Sequence, residues 1–212
     1  MNVKFWGEFA LFTRPEYKSE PHTYPVMTFT AAKGLLESIF WKPEIKYSIN
    51  SIRVLNKIDY LPIKRNMIKS KQNPKVTNYI ASEDRTQRNC IVLKNVAYIV
   101  DFDFDLQNDD QNHDKYYAMI NERIKAGQCF KQPYFGCREY IAYFEFPSGN
   151  ESLHLSLLGK VDLGVMPKEI HFIPDKKGNI SWKSKDTIIK GKTIVEFKHF
   201  EMVNGVVRCL EN

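Results

Sequence analysis

Apolar residues recur at two different spacings along this chain, and the switches between them divide it into elements. Residues 3–12 (VKFWGEFALF) are dense in aromatic and aliphatic side chains, which predicts a buried strand. After a polar loop running to about Val26, the residues Ala32, Leu35, Leu36, Ile39 and Phe40 fall at helical spacing. AAKGLLESIFW therefore reads as a helix, with Thr30 as its N-cap and Pro43 marking its end. Alternation returns in IKYSINSIRVLNKIDYL, a second, long strand with Ile45, Tyr47 and Ile49 on one face. Residues 90–105 (CIVLKNVAYIVDFDFD) predict a third strand. KYYAMINERIKA predicts a second helix, capped by Asp114, stopped by Gly127 and apolar along Tyr117, Ile120 and Ile124. REYIAYFEF completes the series as a fourth strand.

The order is β-α-β-β-α-β, so the expected fold class is α+β with a ferredoxin-like domain. Two regions lie outside that core. Residues 61–89 stand between strands two and three, where a hairpin needs only a few residues. After Pro147-Ser148-Gly149-Asn150 the composition changes to short strands between polar turns. The expected division is a domain over 1–150 and a small antiparallel β-sheet subdomain over 151–212.

Composition changes this picture in one place. The chain of 212 residues carries 31 Lys+Arg against 25 Asp+Glu, a net charge of +6, and its 43% hydrophobic content supports a real core. The charge is concentrated. The 61–89 insertion holds Lys64, Arg65, Lys69, Lys71, Lys75, Arg85 and Arg88 against Glu83 and Asp84, seven minus two, an excess of five. A projecting segment of one sign suits a polyanion's backbone; it also suits a solvated loop. The four cysteines make no CxxC pair and have no neighbouring His pair, so no zinc site is expected and the chain reads as reduced and cytoplasmic. No stretch approaches the roughly 20 apolar residues of a membrane span.

The start of the second helix holds a local conflict. With Asp114 as cap, Lys115 takes the first helical position and Tyr116 the second, and a cation there opposes the helix dipole. Helix-start amides and an ammonium together form a phosphate seat; the same lysine also reads as an idle, solvated side chain tolerated on the surface. His113, just before the cap, is either a surface histidine or a proton carrier suited to neutral pH. Tyr116 is a poor base but can orient a hydroxyl or hydrogen-bond a phosphate oxygen. Further along, CFKQPYFGCREYIAYFEF interleaves Lys131 and Arg138 with Phe130, Tyr134, Phe135 and Tyr140, a pattern that serves base stacking or strand core. Asp101, Asp103 and Asp105 alternate in DFDFD and share one strand face, as solvated charges or as ligands for a divalent ion.

The segments TFTAAKGLLESIFWKPEIKYSINSIRVLNKI (28–58), IKRN (63–66), KAGQCFKQPYFGCRE (125–139), AYFE (142–145), DLGVM (162–166) and EFKHFEMVNGVV (196–207) resemble the fifth CRISPR-associated protein family in its type I-C form. The likeness runs almost end to end. It implies a RAMP-superfamily endoribonuclease with a projecting hairpin and a small β-sheet domain. Such an enzyme cuts the repeat transcript at the 3′ base of its hairpin, without metal or cofactor, by attack of the ribose 2′-hydroxyl. It then stays on the crRNA 5′ handle among the other Cascade subunits. The family's catalytic set joins a Tyr closing the first helix to a Lys-His pair opening the second. Here Phe40 stands at the Tyr position and Tyr116 at the His position, and only Lys115 is kept. The expected catalytic residues are thus Lys115, Tyr116 and the Phe40 position, with His113 as substitute proton carrier. The expected RNA contacts are Lys42, Lys64, Arg65, Lys69, Lys71, Lys131 and Arg138. Two other activities fit the same residues: a subunit that binds the handle without cutting, and a metal-dependent nuclease acting on DNA through Asp101 to Asp105.

Overall fold

A computed structural model describes residues 1–17, 19–70, 80–107, 112–173, 183–184, 187–188 and 192–209. In chain order the elements are β1 (Asn2–Ala10), α1 (Phe29–Ile39), β2 (Ile45–Val54), β3 (Tyr60–Ile68), β4 (Arg85–Leu106), α2 (His113–Ala126), β5 (Tyr143–Glu145), β6 (Lys160–Ile173), β7 (Lys183–Ser184), β8 (Thr187–Ile188), β9 (Lys192–Val203) and β10 (Val206–Arg208). One mostly antiparallel sheet runs β5-β1-β4-β2-β10-β9-β6, with β3 pairing β4 beyond the end of β1. Residues beyond 151 join this sheet because β10 pairs with β2 through Val206↔Arg53 to Arg208↔Ser51.

Helix α1 forms for the expected reason: Ala32, Leu35, Leu36 and Ile39 are buried on one side. Its cap is Thr28, not Thr30. The Thr28 hydroxyl accepts from the Ala31 amide at 3.2 Å, and the Thr30 hydroxyl shares a 3.0 Å hydrogen bond with it. Starting the helix two residues early brings Phe29 into it, where its ring stacks on Phe200 of β9 at 5.0 Å. The helix also stops sooner, and Phe40 leaves it in extended conformation with its amide on Leu36 O.

The long second strand divides. Asn56 to Asp59 turn the chain between β2 and β3, where the Leu55 amide donates to Ala97 O and the Lys94 amide to Asp59 O. The third strand begins earlier than expected, at Arg85, so most of the 61–89 insertion that is described is a β3–β4 ribbon. Lys71 and Lys75 lie outside the described residues. Alternation gives the ribbon two characters. Lys64, Asn66, Arg85 and Gln87 are exposed, while Leu61, Ile63 and Met67 are half-buried.

Helix α2 begins at His113 behind Asn112, not behind Asp114, and the Asn112 side chain makes no capping hydrogen bond among the described residues. Asp114 lies in the first turn, where a carboxylate is favourable. The buried face is Tyr116, Ile120 and Ile124: Ile120 and Ile124 are as expected, and Tyr116 takes the place of Tyr117, which is 46% exposed. Gly127 ends the helix in left-handed conformation (φ 63°) with its amide on Ile124 O.

The fourth strand is short because a tight turn replaces its first half. The Phe135 amide donates to Tyr140 O and the Tyr140 amide to Cys137 O, and only Tyr143–Glu145 pair with β1. Gly136 makes this possible: its φ is 83°, and a Cβ there would lie 1.9 Å from Leu11 O. Gly136→Ala is expected to cost at least about 3 kcal/mol through forbidden backbone and steric clash together. A urea titration followed by tryptophan fluorescence checks it as a lowered midpoint.

No helix among the described residues is long and apolar enough to cross a membrane.

Candidate active site

The end of α1 and the start of α2 meet through aromatic rings. Phe40 (2% exposed) and Tyr116 (6% exposed) lie with ring centroids 6.5 Å apart. Two further rings tie β2 and β4 to the same cluster. Tyr47 donates its hydroxyl to Phe40 O at 2.7 Å and packs on Phe104, and Phe104 stacks flat on His113 at 4.3 Å. Position 40 and positions 113 and 116 of α2, far from it in the chain, thus belong to one cluster. Burial pushes the Tyr47 phenol up, so it stays a neutral donor to the Phe40 carbonyl.

Cations surround this cluster. Lys115 is exposed, with Nζ 5.7 Å from the centre of the Tyr116 ring. Arg123 lies two turns beyond Tyr116 on the same side of α2. Its guanidinium sits 5.2 Å from the Phe40 ring, and Nη1 donates to Ile39 O at 3.3 Å. Sequence reading passed over Arg123; its spacing of seven from Tyr116 was the signal that could have found it.

The loop after Gly127 adds two more side chains. The Phe130 amide donates to Ile39 O at 3.2 Å and the Lys131 amide to Ser38 O at 2.9 Å. Carbonyls at a helix end need such donors, and answering them seats Phe130 (64% exposed) and Lys131 beside the end of α1. Lys131 Nζ is 5.8 Å from the Phe130 ring. Lys42 is exposed two residues past Phe40. Burial pushes the Glu37 carboxyl up, against the opposing pull of Lys33 and Lys131.

The other expected RNA contacts sit elsewhere. Lys64 and Lys69 are exposed on the β3–β4 ribbon, and Lys71 lies outside the described residues. Arg65 is drawn inward. It pairs with Glu139 and covers the Tyr140 ring at 5.9 Å, which ties the ribbon to the 136–140 turn. Arg88, directly opposite Arg65, donates to Ser19 O at 2.8 Å. Arg138 is exposed on that turn, whereas Phe135 and Tyr140 belong to the core.

The DFDFD aspartates do share a face, alternating with buried Phe102 and Phe104, but they do not converge. Asp101 lies 3.7 Å from the N-terminal amine, and Asp105 is opposite Lys46. Among the described residues, one trio of His, Cys, Asp or Glu brings its ligand atoms within 4.8 Å: Glu169, His171 and Glu196. There the Lys168 ammonium already lies 3.1 Å from Glu196.

A family model described as CRISPR-associated protein (Cas_Cas5), of the Cas5d type, matches residues 1–209. The chain belongs to this Cas5d family. Two proteins named CRISPR pre-crRNA endoribonuclease Cas5d are similar to it. One, from Thermus thermophilus, is 40% identical over 179 residues, covering 82% of this chain and 75% of that protein. The other, from Mannheimia succiniciproducens, is 36% identical over 191 residues, covering 81% and 85%. The fold is also that of a crystal structure titled as a CRISPR-associated protein, with TM-score 0.63, 21% identity, and coverage of 98% of this chain and 89% of the other. A functionally uncharacterized Streptococcus mutans protein matches similarly, with TM-score 0.61, 21% identity, and coverage of 98% and 90%. In this Cas5d chain the cluster at Phe40, Lys115 and Tyr116 joins the end of α1 to the start of α2, with three strands between them in the chain.

Proposed function

We infer that this Cas5d chain is a pre-crRNA endoribonuclease that cuts the CRISPR repeat at the 3′ base of its hairpin and stays on the 5′ handle as a Cascade subunit. The observation that carries the reading is the contact of Tyr116 with Phe40 beneath an exposed Lys115, in a chain 40% and 36% identical to proteins named for that activity. The ferredoxin-like expectation is supported by the β5-β1-β4-β2 order, antiparallel throughout. The β3–β4 ribbon is then the projecting hairpin, and residues 151–212 are a second unit joined through β10. Four free cysteines suit a reducing cytoplasm.

The reaction is an internal transfer. The ribose 2′-oxygen bonds to the adjacent phosphorus, the bond from phosphorus to the 5′-oxygen breaks, and the 2′-proton is lost while the 5′-oxygen gains one. The products are a 2′,3′-cyclic phosphate and a 5′-hydroxyl. Negative charge builds on the phosphoryl oxygens, and a fixed cation there lowers the barrier. Lys115 supplies that cation from the first turn of α2, where the positive end of the helix adds to the field. Arg123 and Lys131 hold the flanking phosphates.

The phenol is the second component. The family's Tyr is Phe40 here, so position 40 offers no hydroxyl. Tyr116 packs on that ring and returns a hydroxyl to the same cluster from the other helix. Held against Phe40 and Lys115, it orients the 2′-hydroxyl or the leaving oxygen, and His113 is the group available to carry a proton. Catalysis by positioning suits an enzyme that cuts once and keeps its product.

The activity is tested with a labelled repeat RNA. The intact hairpin is expected to give one cut at its 3′ base, and a stem-disrupted repeat none; cutting of neither contradicts the activity. Holding is tested separately. Lys64→Ala and Arg85→Ala on the exposed ribbon face should each weaken repeat binding across sequences and reduce the salt slope by about one. Arg65→Ala should instead lower stability, because its charge is spent on Glu139.

A further inference from the structure

A groove of about 680 Å³ lies beside the cluster, within the roughly 300–1,000 Å³ range of small-ligand sites. Its walls are α1, the outer half of β6, and the stretch of β2 from Lys46 to Asn50. Three features of this groove point to what it holds.

The first is an exposed aromatic ring: Trp41 is 52% exposed at one end of the groove. The second is a bare strand edge. On its groove side β2 is paired by β10 only over Ser51–Arg53, so among the described residues Lys46 to Ile49 have no strand on that flank. Main-chain groups there, with the side chains of Ser48 and Asn50, offer both donors and acceptors. The third is charge. Lys33, Lys46 and Lys168 face Glu37, Asp105 and Glu169, so the lining is neutral as a whole. A neutral, aromatic, hydrogen-bonding groove suits an uncharged planar ring better than a phosphate.

The groove also adjoins the cluster. Trp41 follows Phe40 in the chain, and Tyr47, part of the lining, bonds to Phe40 O at 2.7 Å. We propose that this groove binds one unpaired nucleobase of the repeat RNA beside the cut, stacked on Trp41 and read at its edge by β2. The inference rests on the RNA-cleavage reading above. Drawing that base out of the stack turns the sugar next to it, which is how a rigid site brings a 2′-oxygen into line with its phosphorus.

The test uses a repeat RNA made uncleavable by a 2′-deoxy at the cut, so that affinity is read without chemistry. Each unpaired nucleotide beside the cut is made abasic in turn. One such position should weaken binding by about 5- to 150-fold, the usual range for a stacked base. Trp41→Ala should weaken binding of the intact RNA by a similar factor and have no further effect on that abasic RNA; Trp41→Phe should keep most of the affinity. A 2-aminopurine at the same position should be quenched on binding to the native protein and not to Trp41→Ala. Full repeat affinity with no dependence on any flanking base overturns the groove proposal alone. So does Trp41→Ala that binds RNA unchanged, the result expected if a partner's peptide strand pairs with the β2 edge. A protein that does not bind the repeat overturns the underlying reading as well.

Discussion

Lys115→Ala abolishes repeat cleavage and leaves hairpin affinity within a few fold. Removing a charge that meets only the developing transition state lowers turnover without lowering ground-state binding. The loss expected for one such group is about 10²–10³-fold, more if no neighbouring cation substitutes. Arg123 is the neighbour to watch. It already bonds Ile39 O and covers Phe40, so it is held away from taking the place of Lys115. Affinity is preserved because other cations, on the β3–β4 ribbon and at Lys131, carry the binding. Single-turnover cleavage beside filter binding with the 2′-deoxy repeat separates the two quantities. Cleavage at the native rate by Lys115→Ala removes this lysine from the chemistry.

Tyr116→Phe is expected to slow cleavage by about 10²-fold, the lower end of what a positioned proton donor or acceptor contributes. The ring stays in place against Phe40, so binding should change little. Phe40→Tyr in that background puts a hydroxyl back into the same cluster from the other helix and should recover part of the rate. That rescue distinguishes a chemical role from packing, since a packing residue gains nothing from an extra hydroxyl across the contact. Native cleavage by Tyr116→Phe assigns the phenol a structural role and leaves positioning to Lys115 and the helix start.

What the sequence made legible, and what it hid, follows from the range of each interaction. Helix α1 could be read because Ala32, Leu35, Leu36 and Ile39 repeat at helical spacing and burial rewards that repeat locally. Its start was read two residues late, because Thr30 and Thr28 are equally good caps until Phe29 finds Phe200, a contact across most of the chain. The same limit misplaced one residue of the α2 stripe. Tyr116 and Tyr117 are equivalent on paper, and packing on Phe40 decides which faces inward. Counting charge found the ribbon but not its wiring. Arg65 and Lys64 are adjacent and identical in sign, yet alternation turns Arg65 towards Glu139 and Lys64 to solvent. The groove could not be read at all, because its walls come from α1, β2 and β6 and no local pattern joins them.

The central claim is that Lys115 and Tyr116 promote attack by the RNA's own 2′-hydroxyl. The most direct measurement incubates the protein in EDTA with the all-ribose repeat and, in parallel, with a copy carrying one 2′-deoxy at the cut site. The account predicts a single cut of the first, with a 2′,3′-cyclic phosphate end, and none of the second. Cutting of the deoxy copy, cutting only on addition of a divalent metal, or cutting of neither RNA contradicts it.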